Sequence, residues 1–351
     1  MNKTVITSII LLLLAAVPTS VCVVKHPDVI KMERRKITPL PQCPDSLAAS
    51  KVKRFFKEFE SYYNDRILGR SSFLNLANKI YELGKADQNP NKCYRGKENW
   101  LFLGNDYDRC VDALTGKWKP SAQQRANQIK FFTEVEKTVR ACGAEFHMLI
   151  GPNKSTIYPE YLPPLTFPAK KRCIAPAVEA LEEKGISIFD SAETLLKNKD
   201  KGLLYYRLDT HWNSLGAKIA FEAFLNKSKI AELPPINLVP QKEYRGDLVN
   251  IGGYKKFPLK TGDSFAPGWV DSANKAVSDK TVLVLGDSFS SALMYYLKGM
   301  YKDVHRIHYK KLVSRSTDMP NLTKYIQEMK KKPDIELWVQ VERIFAHWGT
   351  R

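Results

Sequence analysis

No two cysteines of the 351-residue chain stand in C-x-x-C spacing, and no His, Cys and carboxylate set has the spacing of a metal site. Zinc and thioredoxin-like chemistry therefore have no support in the sequence, and no metal is expected. No glycine-rich loop suited to a nucleotide is present, so no cofactor is expected either. Histidine is scarce, with six in all, so a histidine close to a carboxylate carries weight. There is no internal repeat, and beyond the N-terminus no apolar run is long enough to cross a bilayer. A nucleic-acid signature is lacking too, despite a net charge of +18. The clusters Lys170-Lys171-Arg172, Lys310-Lys311 and Lys330 to Lys332 read as solvated faces. Their functional alternative is attraction to an acidic envelope polymer or a membrane surface.

The chain opens with Lys3 and an apolar stretch from Val5 to Val17, followed by small and polar residues. That is the layout of a secretory signal, with a cleavage site near Ser20 or Cys22. Counted to Val24, the same stretch has the ~20 residues of an uncleaved membrane anchor. Either reading places the rest of the chain outside the cytoplasm. Residues 1–24 are the leader or anchor, 25–45 a Pro-rich basic linker, and 46–351 the folded domain with a helical N-terminal extension. In an oxidising compartment Cys43, Cys93, Cys110, Cys142 and Cys173 are expected to supply one or two disulfides. Cys93 and Cys110 flank one segment and are candidates for a local pair.

Periodicity predicts helix from Ser46 to about Ala86, a strand or hairpin at 96–106, and a long helix from Ser121, its N-cap, to Cys142. Strand 145–152, helix 173–184 and strand 186–190 follow, then a helix after the segment DTHW (209–212). A Pro-, Gly- and Asp-rich stretch over 233–272 breaks the rhythm. KTVLVLGDSFS (280–290) is the plainest strand, closed by Gly286. A helix, a strand at 301–310, a helix at 320–331 and a strand at 335–344 complete the chain. Strands alternating with helices imply a mostly parallel sheet covered on both faces, an α/β fold. Such sheets carry their chemistry at the carboxyl ends of their strands.

Ser288 lies at such an end, where free N–H groups at a helix N-terminus stabilise negative charge. Taken alone it reads as an N-cap, worth about 1 kcal/mol, and G-D-S is not the G-x-S-x-G elbow. Asp209 taken alone closes a turn, and Asn213 or Ser214 starts the following helix. A serine nucleophile, however, needs a base, and the base an orienting carboxylate. His211 and Asp209 supply both, with Trp212 as a wall, and together the three residues read as a triad. Asn153 stands where an oxyanion-hole side chain belongs, although Pro-Asn is also an ordinary turn. Lys154, Tyr158, Tyr254 and Arg343 are weaker candidates for contact with a sugar or a carboxylate. His147, His305 and His308 read as packing residues.

The ordered motifs GKENWLFLGND, GPNKSTIYPEYLP, DTHW and GDSFS resemble the SGNH-hydrolase-like domain of periplasmic alginate O-acetyltransferases, over a span from Phe55 to VERIF near the C-terminus. The resemblance implies a three-layer α/β/α sandwich with Ser288 as nucleophile, His211 as base and Asp209 as its orienter. The Asp/His block precedes the Ser block, a circularly permuted order that favours this family over an ordinary lipase. It also implies a periplasmic location, a polysaccharide substrate and an acetyl donor relayed by a membrane-bound O-acyltransferase. The expected function is O-acetylation of an envelope or secreted polysaccharide through an acetyl-serine, with the basic surface leaning towards an acidic polymer. A polysaccharide O-acetyl esterase with the same triad is the near rival. A non-catalytic polysaccharide-binding component of an export complex is the rival of another class.

Overall fold

The computed structural model describes residues 38–42, 46, 48–66, 89–241, 246–254, 264–269, 278–312 and 319–348. The leader, Cys22, Cys43, most of the linker, and the predicted helix beyond residue 66 lie outside the described residues. Among the described residues no helix is long and apolar enough to cross a membrane. The chain divides into two compact units, residues 1–88 with 253–256, and residues 89–252 with 257–351. In the first, helix α1 (Ala49–Arg66) carries a stacked Phe55–Phe59 pair and an Arg54–Glu58 ion pair one turn apart.

In the second unit, β1 (Cys93–Arg95) and β2 (Leu101–Leu103) form an antiparallel hairpin. The predicted strand at 96–106 is thus only its second arm, because residues 97–99 turn in a 3-10 helix. Helices α2 (Cys110–Thr115) and α3 (Ala122–Ala141) follow, then β3 (Glu145–Gly151), α4 (Lys154–Ile157), α5 (Ala175–Glu183), β4 (Ser187–Asp190), α6 (Ala192–Lys197) and α7 (Ser214–Ser228). Ser121 closes a capping box on α3: its hydroxyl accepts from Gln124 N and the Gln124 side chain from Ser121 N. The predicted interruption contains structure of its own, β5 (Ile236–Gln241) paired antiparallel with β6 (Ser264–Trp269), and α8 (Asp247–Ile251). Last come β7 (Ser278–Gly286), α9 (Ser290–Met300), β8 (Tyr301–His308), α10 (Pro320–Glu328), β9 (Ile335–Val341) and α11 (Glu342–Ala346).

Five strands make one parallel sheet in the order β4-β3-β9-β7-β8. Their near-continuous apolar runs follow from burial on both faces. Leu149, Val282, Val284, Leu337 and Val339 face a core completed by α7 (Ala217, Phe221, Phe224) and α9 (Leu293, Leu297). Phe146, Met148, Ile150, Leu283, Leu285 and Trp338 face a second core completed by α3, α5 and α10. The result is the expected α/β/α sandwich.

Cys93 and Cys110, the candidates for a local pair, are not bridged to each other. The Cys110 thiol points to the carbonyl oxygens of Leu103 (3.0 Å) and Gly104 (3.2 Å), and Cys110, Cys142 and Cys173 are unbridged.

One buried group works against this fold. Glu336 lies fully buried on β9, in register with Phe146 and Leu283, and neither carboxyl oxygen has a hydrogen-bond partner. Burial pushes this carboxyl far above the ordinary carboxylate range. Its protonated form is the one the fold tolerates, so its contribution is intact below the unfolded carboxyl's range and is lost as pH rises. Glu336→Met, which keeps chain length and removes both oxygens, is expected to stabilise the protein by about 1–3 kcal/mol near neutral pH. The gain should grow at higher pH and shrink towards pH 4, a trend that urea unfolding across pH checks.

Candidate active site

The carboxyl ends of β3, β7 and β9 lead to Asn153, Ser288 and Arg343, three of the residues singled out by the sequence. After Gly286 the chain turns sharply. A Cβ at Gly286 would sit 2.6 Å from the Ser290 side chain, so only glycine fits. Asp287 organises the turn: its carboxylate accepts from Phe289 N and from Val341 N, both at 2.8 Å, while its carbonyl accepts from Ser290 and Arg306. The N-cap position of α9 falls on Phe289, and no side chain caps it. Ser288 is therefore not a cap, and its side chain is exposed at the rim.

The DTHW segment approaches from the other side. Trp212 is buried against Phe289 at 4.9 Å between ring centres and donates its indole N–H to the Phe289 carbonyl at 3.2 Å. It is a strut between the two motifs rather than an exposed wall. Asn213 caps α7 through Gly216 N at 3.0 Å, as expected. These supports bring three predicted side chains together. His211 Nε2 lies 2.7 Å from Ser288 Oγ, and His211 Nδ1 lies 2.5 Å from Asp209 Oδ1. Asp209 Oδ1 also accepts from His211 N at 2.9 Å, so the turn that Asp209 makes on its own backbone is the same one that aims the imidazole.

Asp209 is 1% exposed. Burial pushes its carboxyl up, but the hydrogen bond and charge of His211, with N–H donors from Asp247 and His211, outweigh that and hold it down at about 2. It is an anion at neutral pH, and with an acceptor at Nδ1 the imidazole carries its proton there. Nε2 is left to accept from the serine hydroxyl.

The sequence reading missed Asp247. Its N–H, at the start of α8, donates to Asp209 Oδ2 at 2.7 Å. Its carboxylate accepts from Thr210 N (2.9 Å) and Thr210 Oγ1 (2.7 Å) and lies 3.9 Å from His211 Nδ1. Burial and the Asp209 charge push the Asp247 carboxyl up. Gly246 permits the approach, since a Cβ there would sit 2.1 Å from the Leu208 carbonyl oxygen. Asp209, His211 and Asp247 are the one set among the described residues whose ligand atoms lie within 4.8 Å of one another. Those atoms are already engaged with one another and with backbone N–H groups.

The weaker candidates divide. Asn153 and Arg343 line a small cleft with Lys154, Thr210, Leu248, Phe102 and Cys110, and among the described residues neither the Asn153 nor the Arg343 side chain has a hydrogen-bond partner. The turn that presents Asn153 is anchored by Glu342, whose carboxylate accepts from Asn153 N (2.8 Å) and Thr156 Oγ1 (2.7 Å). Arg172 pairs with both Glu342 and Asp190, joining the ends of β3, β4 and β9. Burial pushes Glu342 up, but Arg172 and these donors outweigh it and keep it ionised. Lys154 and Tyr158 are both buried rather than exposed, although Lys154 borders the cleft. The Tyr158 hydroxyl accepts from Leu204 N at 2.8 Å, and the Lys154 ammonium from α4 points into the DTHW loop. Tyr254 is buried as well and does not present its ring to solvent. Of the packing histidines, His147 bonds Ser187 at 2.8 Å, and His308 accepts from Lys310 N.

A family model described as SGNH hydrolase-like domain, acetyltransferase AlgX, matches residues 93–303. Of proteins with known names, the "Probable alginate O-acetylase AlgJ" of Pseudomonas aeruginosa is 25% identical over 167 residues, covering 44% of this chain. The chain spans 40% of that relative's length. Two solved structures share the fold. Bacillus cereus PatB1 superposes with a TM-score of 0.50 at 14% identity, covering 72% of this chain and 97% of that one. Pseudomonas aeruginosa AlgX superposes with a TM-score of 0.50 at 16% identity, covering 71% and 61%.

Proposed function

Because the chain belongs to the AlgX family of SGNH hydrolase-like acetyltransferase domains, we propose that it is an exported enzyme that O-acetylates hydroxyls of an envelope or secreted polysaccharide. The observation that carries this reading is the unbroken line from Asp209 Oδ1 through His211 to Ser288 Oγ. In the proposed reaction His211 Nε2 takes the Ser288 proton as Oγ attacks the acetyl carbonyl of the donor. The proton passes to the departing group, leaving an acetyl ester on Ser288. A sugar hydroxyl then gives its proton to Nε2 and attacks that ester, and Oγ leaves with the proton that Nε2 returns. The Asp209 carboxylate stabilises the imidazolium in both halves. The Ser288 N–H and the Asn153 side-chain amide, which have no partner among the described residues, are the proposed donors to the oxyanion. The donor outside the cytoplasm is proposed to be a membrane-bound O-acyltransferase. The positive surface and the unpaired Arg343 suit an acidic polymer.

Intact-mass analysis after exposure to p-nitrophenyl acetate tests the reading. One acetyl adduct is expected, mapped to Ser288, and its discharge should be faster with an acidic oligosaccharide that gains the acetyl group. Discharge to water alone would make the protein an esterase. No adduct on the folded protein would remove the acetyl-serine.

A further inference from the structure

Lys154 is 4% exposed, and its ammonium donates to three backbone carbonyls of one loop: Tyr206 at 3.2 Å, Arg207 at 2.9 Å and Asp209 at 2.7 Å. An ammonium has three protons and no acceptor, so this set engages all of them. The ammonium also lies over the rings of Trp100 (5.7 Å) and Phe102 (5.3 Å), an environment in which a lysine is rarely found without such partners. The loop it holds has no regular secondary structure. Arg207 O is also bonded to Leu101 N, and Leu208 O to Leu248 N, but among the described residues the Asp209 carbonyl has Lys154 alone. Fixing that carbonyl fixes the peptide on which the Asp209 carboxylate and the His211 N–H turn are built.

We infer that Lys154 is a positioning residue for His211, its ammonium clamping residues 206–209 so that the Asp209 carboxylate meets Nδ1. The inference rests on Ser288, His211 and Asp209 being the reacting set. Burial lowers the Lys154 ammonium to about 7, opposed by the facing carboxylates of Asp209 and Asp247. Loss of its proton on the alkaline side leaves two N–H donors for three carbonyls, and the clamp loosens.

The test uses the full chain, its Lys154→Met and Lys154→Arg variants, histidine nitrogen NMR and p-nitrophenyl acetate kinetics. In the parent His211 is expected as the Nδ1–H tautomer alone. Lys154→Met should give a mixture of tautomers and lower kcat about 100-fold, as a misplacement of about 1 Å does. KM should stay within about twofold, since the ammonium is turned to the 206–209 carbonyls and not to the ester. Lys154→Arg, which keeps a charged donor, should recover part of the loss. A folded Lys154→Met variant with the parental tautomer and kcat would overturn the inference. If neither variant folds, the parent decides: a slowly exchanging Lys154 ammonium with couplings through its hydrogen bonds to the three carbonyls is expected, and a freely exchanging one overturns the clamp. A parent with the fixed tautomer and that ammonium but no ester turnover supports the clamp and sinks acetyl transfer.

Discussion

Ser288→Ala is expected to remove the acetyl adduct and lower ester turnover by about 10⁶-fold, the scale seen when a Ser-His-Asp site loses its nucleophile. Stability should change little, within about 0.5 kcal/mol, because the side chain is exposed at the rim. Its one hydrogen bond is to His211. That contrast makes the variant informative, since lost activity in a protein with parental unfolding cannot be laid to misfolding. Initial rates, intact mass and a thermal melt on one preparation measure it. Turnover that persists in Ser288→Ala would move the nucleophile elsewhere.

Asp209→Asn is expected to lower kcat about 10⁴-fold by a different route. Both oxygens of Asp209 now accept: Oδ1 from the His211 backbone and ring, Oδ2 from Asp247 N. An amide replaces one acceptor by a donor. If NH₂ faces the ring, Nδ1 must accept and Nε2 carries the proton, so it cannot take one from Ser288. If NH₂ faces Asp247 N instead, two donors meet and α8 is pushed off the loop. Stability should respond to pH as well. The depressed Asp209 contributes stability that is present above the unfolded carboxyl's range near 4 and lost as pH falls towards about 2. The asparagine variant should lack that part of the acid transition. Rates and pH-dependent unfolding of both proteins test the two halves separately, and an unchanged kcat would deny Asp209 its orienting role.

The parallel sheet was legible because strands buried on both faces spell unbroken apolar runs, as VLVLG at 282–286 does. The helix after it was legible too, as was Ser121 as a cap. What escaped the sequence was whatever depends on a partner far along the chain. Asp247 sits in a stretch with no periodicity, and its N–H and carboxylate act on residues 37 and 38 positions away. Lys154 read as a sugar contact because lysine is usually exposed, and only the placement of three carbonyls around it reverses that. Glu342 gave no signal either: the run IELWVQVERI reads as one strand to 344, yet the strand stops at Val341 and Glu342 turns inwards to Arg172. The disulfide expectation followed from compartment alone, and the loop geometry at Cys110 did not meet it.

The strand order also has a consequence for biogenesis. β9, the last strand to be synthesised among those described, occupies the middle of the sheet, between β3 and β7. A chain threaded N-terminus first across a membrane has both halves of the sheet available before the strand that joins them arrives. Until then two apolar strand edges remain open, one on β3 and one on β7, and such edges invite aggregation. The sheet is therefore complete only when the segment around residue 340 has been made, and a nascent polypeptide arrested short of it should depend on holdase chaperones.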